Sequence, residues 1–245
     1  MMSDKHWLDP RHVDYHRRQF TTPYRSTVHL TRFLRSILPR DPQTVLDVGC
    51  GAGQNCLHIG KAFPCAAVTG VDIASHLFPL GQALILECGG RPVKFVGGDF
   101  YTLPNLLPNG SYDLVLSLQT MTWLESYERF LSVLFQMVCP GGWIVISSLF
   151  TDCLVDAKIA ITEYDEGGAS QDPVWYNIYC FDRFVRQCLS LGARQIINED
   201  FKIDVEIPPP AHRRMGTFTR RLAEGELIQQ SGPLLMPWKF VAIRL

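Results

Sequence analysis

Charge of a prevailing sign is the first thing this sequence lacks. Of 245 residues, 23 are Lys or Arg and 24 are Asp or Glu, a formal net charge of −1 with histidine neutral. Polynucleotide binders usually carry a basic excess or stripe. Here basic doublets occur only dispersed, at Arg17-Arg18, Arg213-Arg214 and Arg220-Arg221, which argues against a nucleic-acid substrate. Metal and disulfide signatures are missing as well. The cysteines at 50, 56, 65, 88, 139, 153, 180 and 188 form no Cys-x-x-Cys pair and have no paired histidine spacing. Reduced thiols in a cytoplasmic protein without a metal centre are therefore expected. The first residues, Met1-Met2-Ser3-Asp4-Lys5-His6-Trp7, have no apolar segment and do not read as a signal peptide. The longest charge-free run, Phe130 to Thr151, is nominally long enough to span a bilayer. Pro140-Gly141-Gly142 cuts it in half, and Ser132, Gln136 and Ser147-Ser148 interrupt it. A helix followed by a buried strand is expected there, and no membrane span. No internal repeat or low-complexity tract is present.

What the chain does have is apolar material, 47% hydrophobic and 11% aromatic, enough for one large domain or a domain with a cap. From Thr44 onward short β-branched runs alternate with helical periodicity. Strands are predicted over 44–48, 67–71, 93–96, 112–118, 143–148, 196–207 and 239–245, with helices over 54–63, 126–138 and 182–191. Another helix follows Pro79, where Leu77, Leu80, Leu84 and Cys88 recur at helical spacing before Gly89-Gly90. The Leu-Val-Leu centre of 112–118 suggests a strand buried on both faces. Such alternation with short connections implies parallel strands joined by right-handed crossovers. The expected fold is α/β, a doubly wound, mostly parallel seven-stranded sheet whose strand ends form one ligand-binding edge. Residues 1–43 read as an N-terminal helical cap segment, with Thr22-Pro23 at a helix start and a Leu30, Phe33, Leu34, Ile37, Leu38 stripe. Residues 44–245 read as the main domain. Insertions after strands five and six, at about 149–180 and 208–232, are long enough to form a wall or lid. A hairpin is expected around Glu224-Gly225.

Chemistry concentrates in Val45-Leu46-Asp47-Val48-Gly49-Cys50-Gly51-Ala52-Gly53, a strand, an acid and glycines at every second position. Pyrophosphate-binding loops follow Gly-x-Gly-x-x-Gly, and their third glycine would fall at position 54, which is Gln54. A nicotinamide cofactor is thus disfavoured, and a tight loop for the amino-acid end of a ligand is favoured. Asp72 ends the second strand, where a carboxylate can accept both hydroxyls of a ribose. Asp99-Phe100 follow the third, an acid for an exocyclic amine beside a ring able to pack on a base.

These residues, with the strand Asp113–Leu118 and Cys139-Pro140-Gly141-Gly142, make residues 44 to about 148 resemble the class I S-adenosylmethionine-dependent methyltransferases. The resemblance implies that the loop carrying Gly49, Gly51 and Gly53 lies against the methionine portion of S-adenosyl-L-methionine. By the same resemblance Asp72 holds the ribose, Asp99 binds adenine N6, and Asp47 is the acid of the first motif. Cys50, Ile73, Phe100 and Gln119 fall in the same cofactor-contacting stretches. The segment after strand four, Leu118-Gln119-Thr120-Met121, is implied to face the methionyl amine and the reacting centre. S-adenosyl-L-homocysteine would be the product.

The implied reaction is methyl transfer to an oxygen, or a nitrogen, of a small-molecule or glycan-type acceptor. The stretch Ser231–Trp238 is loosely similar to the tail of some bacterial methyltransferases of surface-glycan pathways. The alternative acceptor is RNA or protein, disfavoured by the balanced charge and by the absence of an Asn-Pro-Pro-Tyr-like motif after strand four. His212, after Pro208-Pro209-Pro210-Ala211, is the candidate base or substrate contact. Met121, Trp175, Tyr176, Arg213 and Arg214 are candidate substrate residues.

Overall fold

A computed structural model describes residues 17–165, 167–170, 173–211 and 215–245. Its frame is a sheet in the order β3 (Lys94–Gly97), β2 (Ala67–Asp72), β1 (Thr44–Val48), β4 (Tyr112–Leu118), β5 (Val138–Thr151), β13 (Trp238–Arg244) and β9 (Gln195–Asp200). The first five of these strands run parallel, while β13 is antiparallel to both of its neighbours. The expected mostly parallel seven-stranded sheet is thus present, with a short β8 (Tyr179–Cys180) added alongside the end of β5.

Alternation along the central strands explains why helices cover both faces. Leu46 and Val48 of β1, Val115 of β4 and Ile144 and Ile146 of β5 point into one core cluster. There they meet Phe130, Leu131 and Leu134 of α5 (Glu128–Met137) and Phe184 and Cys188 of α6 (Phe181–Ser190). The intervening residues Val45, Leu114, Leu116 and Val145 point the other way. They pack on Leu30, Phe33 and Leu34 of α1 (Arg25–Ile37) and Ile59 of α2 (Gln54–Ala62). A strand buried on both sides cannot alternate with polar residues, hence the continuous apolar run. The charge-free stretch 130–151 is the end of α5 followed by β5. Among the described residues no helix is long and apolar enough to cross a membrane.

Several boundaries differ from expectation; the fifth strand, for one, begins at Val138, five residues before the predicted start. The strand predicted over 196–207 ends at Asp200. Phe201 N–H still donates to Trp238 O at 2.9 Å, after which the chain leaves the main sheet, and Ile207 hydrogen-bonds Thr219 of the second insertion instead. Thr22-Pro23 does not open the first long helix: residues 17–21 form a separate helical turn and α1 begins at Arg25. Proline disfavours the helical region for the residue before it and lacks an N–H, so the two helices break there. The fifth strand extends to Thr151, which delays the first insertion to about residue 152.

That insertion carries β6 (Ala160–Ile161) paired with β7 (Val174–Trp175). The second insertion, between β9 and β13, holds a three-stranded antiparallel sheet of β10 (Thr217–Arg221), β11 (Leu227–Ser231) and β12 (Leu234–Leu235). The hairpin around Glu224-Gly225 is the β10–β11 turn. Because β13 is antiparallel to β5 and to β9, its first residue, the last of β5 and the last of β9 share one end of the sheet. Both insertions therefore rise from the carboxyl edge of the parallel strands.

Candidate functional site

Strand order reverses between β1 and β4, and ligands of open α/β sheets bind where such a reversal parts the following loops. The loop after β1 holds Gly49, Gly51 and Gly53, all with positive φ (83°, 56° and 88°). A Cβ on Gly49 would sit 2.1 Å from Thr120 Oγ1, so the loop after β4 leaves no room for a side chain there. A Cβ on Gly53 would lie 2.6 Å from the Phe95 ring. Helix α3 (Phe78–Glu87) closes a further side, where a Cβ on Gly81 would meet Ala52 O at 1.9 Å. Gly51 is different: the nearest atom to its Cβ position is Gln54 Oε1 at 4.0 Å. The turn is thus packed from several directions and open at Gly51.

Carboxylates surround it. Asp72, at the end of β2, accepts Gly51 N–H on Oδ2 at 2.7 Å and Ala74 N–H on Oδ1 at 2.8 Å, tying the two loops together. Ile73 beside it is exposed. Asp99 follows β3, is exposed, and accepts Tyr101 N–H at 2.9 Å on Oδ1. Phe100 is half-buried, its ring engaged with Phe130 at 4.7 Å and Tyr101 at 4.5 Å; its place is on the rim of the core.

Asp47 lies beneath the loop, 1% exposed. Its Oδ2 accepts the Cys56 thiol at 3.5 Å, while Oδ1 has no partner. Burial pushes its carboxyl up to about 7, and the nearby Asp72 adds to the effect. The neighbouring Cys50 thiol and then burial push the Cys56 thiol well above its usual range. The pair serves as a protonated, apolar-like floor for the loop.

Past β4, Gln119 adopts φ +60°, the one non-glycine with positive φ among the described residues. Its N–H donates to Ser147 O at 2.8 Å. Such strain persists where the surroundings over-determine it, and it clusters at functional sites. Met121, expected at the acceptor, is fully buried in the core with Leu46 and Val48. Its side chain is 0% exposed there. The neighbouring Trp123 meets Tyr176 of the first insertion at 4.7 Å between ring centres. Trp175 is half-buried on β7. Asn177 clamps this wall: its N–H donates to Thr122 O, its carbonyl accepts Thr122 Oγ1 at 2.9 Å, and its side chain lies fully buried.

The two insertions meet. Glu163 Oε1 accepts Met215 N–H at 2.6 Å, and Tyr176, Ile178 and Leu234 pack on Leu149, Met236 and Trp238. His212, Arg213 and Arg214 lie outside the described residues. Among the described residues no cluster of His, Cys, Asp or Glu is placed to hold a metal ion. Sequence reasoning placed Thr120 in the segment after strand four but missed its packing on Gly49, and it missed Asn177; both roles come from contacts distant in the chain. It also missed Phe20, which packs with Ala52, Ala74 and Leu77 over the loop.

A family model described as a methyltransferase domain matches residues 46–146. An uncharacterized methyltransferase of Mycobacterium bovis is 30% identical over 142 residues, covering 58% of this chain and 68% of the relative. The ajmaline N-methyltransferase of Rauvolfia serpentina is 33% identical over 110 residues, 44% of this chain, which spans only 37% of that relative's length. A solved S-adenosylmethionine-dependent methyltransferase from Mesorhizobium loti shares the fold with a TM-score of 0.56 at 18% identity, covering 87% of this chain and 96% of the other.

Proposed function

The chain belongs to the class I S-adenosylmethionine-dependent methyltransferases, and from that premise we propose that it moves a methyl group from S-adenosyl-L-methionine to an oxygen or nitrogen of a small-molecule or glycan-type acceptor. The observation that carries the reading is the gathering of Asp47, the Gly49–Gly53 loop, Asp72 and Asp99 at the strand-order reversal, next to an aromatic wall. When bound, the cofactor supplies an electrophilic methyl on its sulfonium.

The residues fit such a group. The loop is solid except at Gly51, where a side chain would enter open space. Each Asp72 oxygen accepts one backbone N–H and keeps a second lone pair, enough for a ribose diol. Asp99 and Ile73 provide an exposed acceptor and an exposed apolar surface at the adjoining strand ends, suited to a purine. Cys50 and Gln119 bound the turn from below and from the neighbouring strand.

Residues 44–245 act in this reading as the cofactor domain, and 1–43 as its cap. The insertions, about 149–180 and 208–232, form the acceptor side, with Trp175 and Tyr176 in its wall and Arg213, Arg214 and His212 as substrate contacts. What the wall contributes is water exclusion and alignment of the acceptor with the methyl. A base is needed only where the acceptor carries a proton of high pKa; that is the role offered to His212. The similarity to the ajmaline N-methyltransferase of Rauvolfia serpentina favours a small-molecule acceptor over RNA or protein.

Thermal shift tests the cofactor first. S-adenosyl-L-homocysteine at a hundred times its Kd should add about 2.7 kcal/mol, raising Tm by roughly 5–10 °C for a chain of this size. NAD should leave Tm unchanged; the reverse pattern would overturn the assignment. The acceptor class is tested by incubating metabolite, glycan, RNA and protein fractions with the enzyme and S-adenosyl-L-methionine. A gain of one CH₂ in the metabolite or glycan fraction is expected, and a gain only in RNA or protein would refute the small-acceptor reading.

A further inference from the structure

The net charge of −1 conceals an uneven distribution. From Arg17 to Arg40 the chain carries six arginines and no Asp or Glu, and α1 falls inside that stretch. Leu30, Phe33 and Leu34 of α1 turn into the core, while Val28, Arg32 and Arg35 stay exposed on its outer side. Where that outer side meets α2 lies a cavity of about 470 Å³, within the range of roughly 300–1,000 Å³ usual for small-molecule sites. Its lining joins Pro23, Val28 and two threonines of α1 to His58 of α2, Arg32 and Arg35. None of these residues belongs to the glycine turn or to the two insertions.

Hydrogen-bond accounting decides what suits the cavity. Thr27 Oγ1 donates to Asn55 Oδ1 at 3.0 Å, and Thr31 Oγ1 to Thr27 O at 3.1 Å. Burial lowers the pKa of His58, against the pull of the Gln19 carbonyl, and its Nε2–H is spent on that carbonyl at 3.0 Å. The side-chain donors left to the cavity are therefore guanidinium N–H groups. Arg35 donates from Nη2 to Ala62 O at 2.9 Å, lies over the Phe63 ring, and has no carboxylate partner among the described residues. Arg32 commits its Nη2 to His29 and Glu199. A guanidinium has five N–H donors, so both keep several. No Asp or Glu among the described residues lines the cavity. A cation would meet two like charges there. A neutral apolar molecule would strip water from the guanidiniums without replacing its hydrogen bonds, and a bare inorganic anion would leave Pro23 and the 49% exposed Val28 uncovered. We propose that this cavity binds an organic anion, a carboxylate or sulfonate on an apolar body. Arg35 and Arg32 hold the charged group through charge-assisted hydrogen bonds, and Pro23 and Val28 pack on the body.

Calorimetry on the full chain with naphthalene-2-sulfonate tests this, with 2-naphthol as an uncharged control on the same ring system. The sulfonate should bind saturably and at least about tenfold more tightly than the naphthol. Arg35→Gln should weaken the sulfonate by about 10- to 100-fold, the loss expected for bonds to a charged partner. Val28→Asp puts a carboxylate on the lining and should weaken it about tenfold by repulsion. Saturating S-adenosylhomocysteine should leave the sulfonate affinity unchanged, because the cavity stands apart from the glycine turn. Absent binding, equal affinity for the two probes, unchanged affinity in either variant, or displacement by S-adenosylhomocysteine would overturn the proposal. Both substitutions fall on exposed side chains, and circular dichroism with a thermal melt checks that each variant is folded.

Discussion

Asp47 shows how one side chain can be costly to the empty fold and useful to the site. Its ionised form is desolvated, so its carboxyl titrates near 7 in the folded chain and near its ordinary 3.8 when unfolded. A raised acid contributes stability that is fully present below the unfolded value and is lost as pH rises through the folded one. The stability of wild type minus that of Asp47→Asn should therefore fall between about pH 4 and 7, and urea titrations across that range measure it. A difference independent of pH would mean that Asp47 is solvated in the free protein. The loop glycines separate fold from site in the same way. Gly49→Ala places a methyl 2.1 Å from Thr120 Oγ1 at φ +83°, so unfolding should become easier by about 1–3 kcal/mol. Gly51→Ala meets open space and should cost stability only about 1–2 kcal/mol, the penalty of a left-handed alanine, while its main loss is in S-adenosylhomocysteine affinity. Equilibrium denaturation beside calorimetry distinguishes the two.

At the scale of elements, the insertions matter through how they are anchored. The first returns to the sheet by way of Asn177, whose amide donates to Leu124 O and whose Oδ1 takes Ile159 N–H. Asn177→Ala would strand those buried groups, costing about 1–3 kcal/mol. It should also expose residues 152–176 to proteolysis before the sheet core opens; cleavage elsewhere first would contradict the clamp. Helix α1 is held to the sheet partly by His29, which sits between Phe33, Phe201 and Phe240. Burial lowers its pKa, against the opposing pull of Glu199. A lowered histidine contributes stability present above its unfolded value of 6.5 and lost as pH falls. His29→Leu should therefore flatten the decline of stability as pH falls below about 6.5, which thermal melts on either side of that pH will show.

For the molecule as a whole, balanced charge has a consequence for recognition. A polynucleotide acceptor held by phosphate contacts would lose about a thousandfold or more in affinity between 50 and 200 mM salt. With net charge −1 and an aromatic wall from Trp123 and Tyr176, KM for the acceptor should change by less than about threefold over that range, as expected where screened surface charges contribute little. Steady-state kinetics at two salt concentrations decide between them. The architecture is consistent with that expectation: both insertions rise from the carboxyl edge of the parallel strands and join through Glu163 and Met215.

Fold and glycine turn could be read from local pattern because the forces that specify them are local. Apolar runs buried on both faces, turn glycines and acids at strand ends fix period and chain reversal within a few residues, and short connections implied parallel strands. Thr120 against Gly49, Met121 turned into the core, Asn177 across from Thr122, and the end of β9 at Asp200 depend on partners far along the chain. Whether a polar side chain is clamped, orphaned or exposed is set by what packs against it, and no periodicity records that. One edge carrying acids around a glycine turn was determined by the sequence alone. That Gly51 is its open side, and that Gln54 lines it, was decided only when three loops closed on one another.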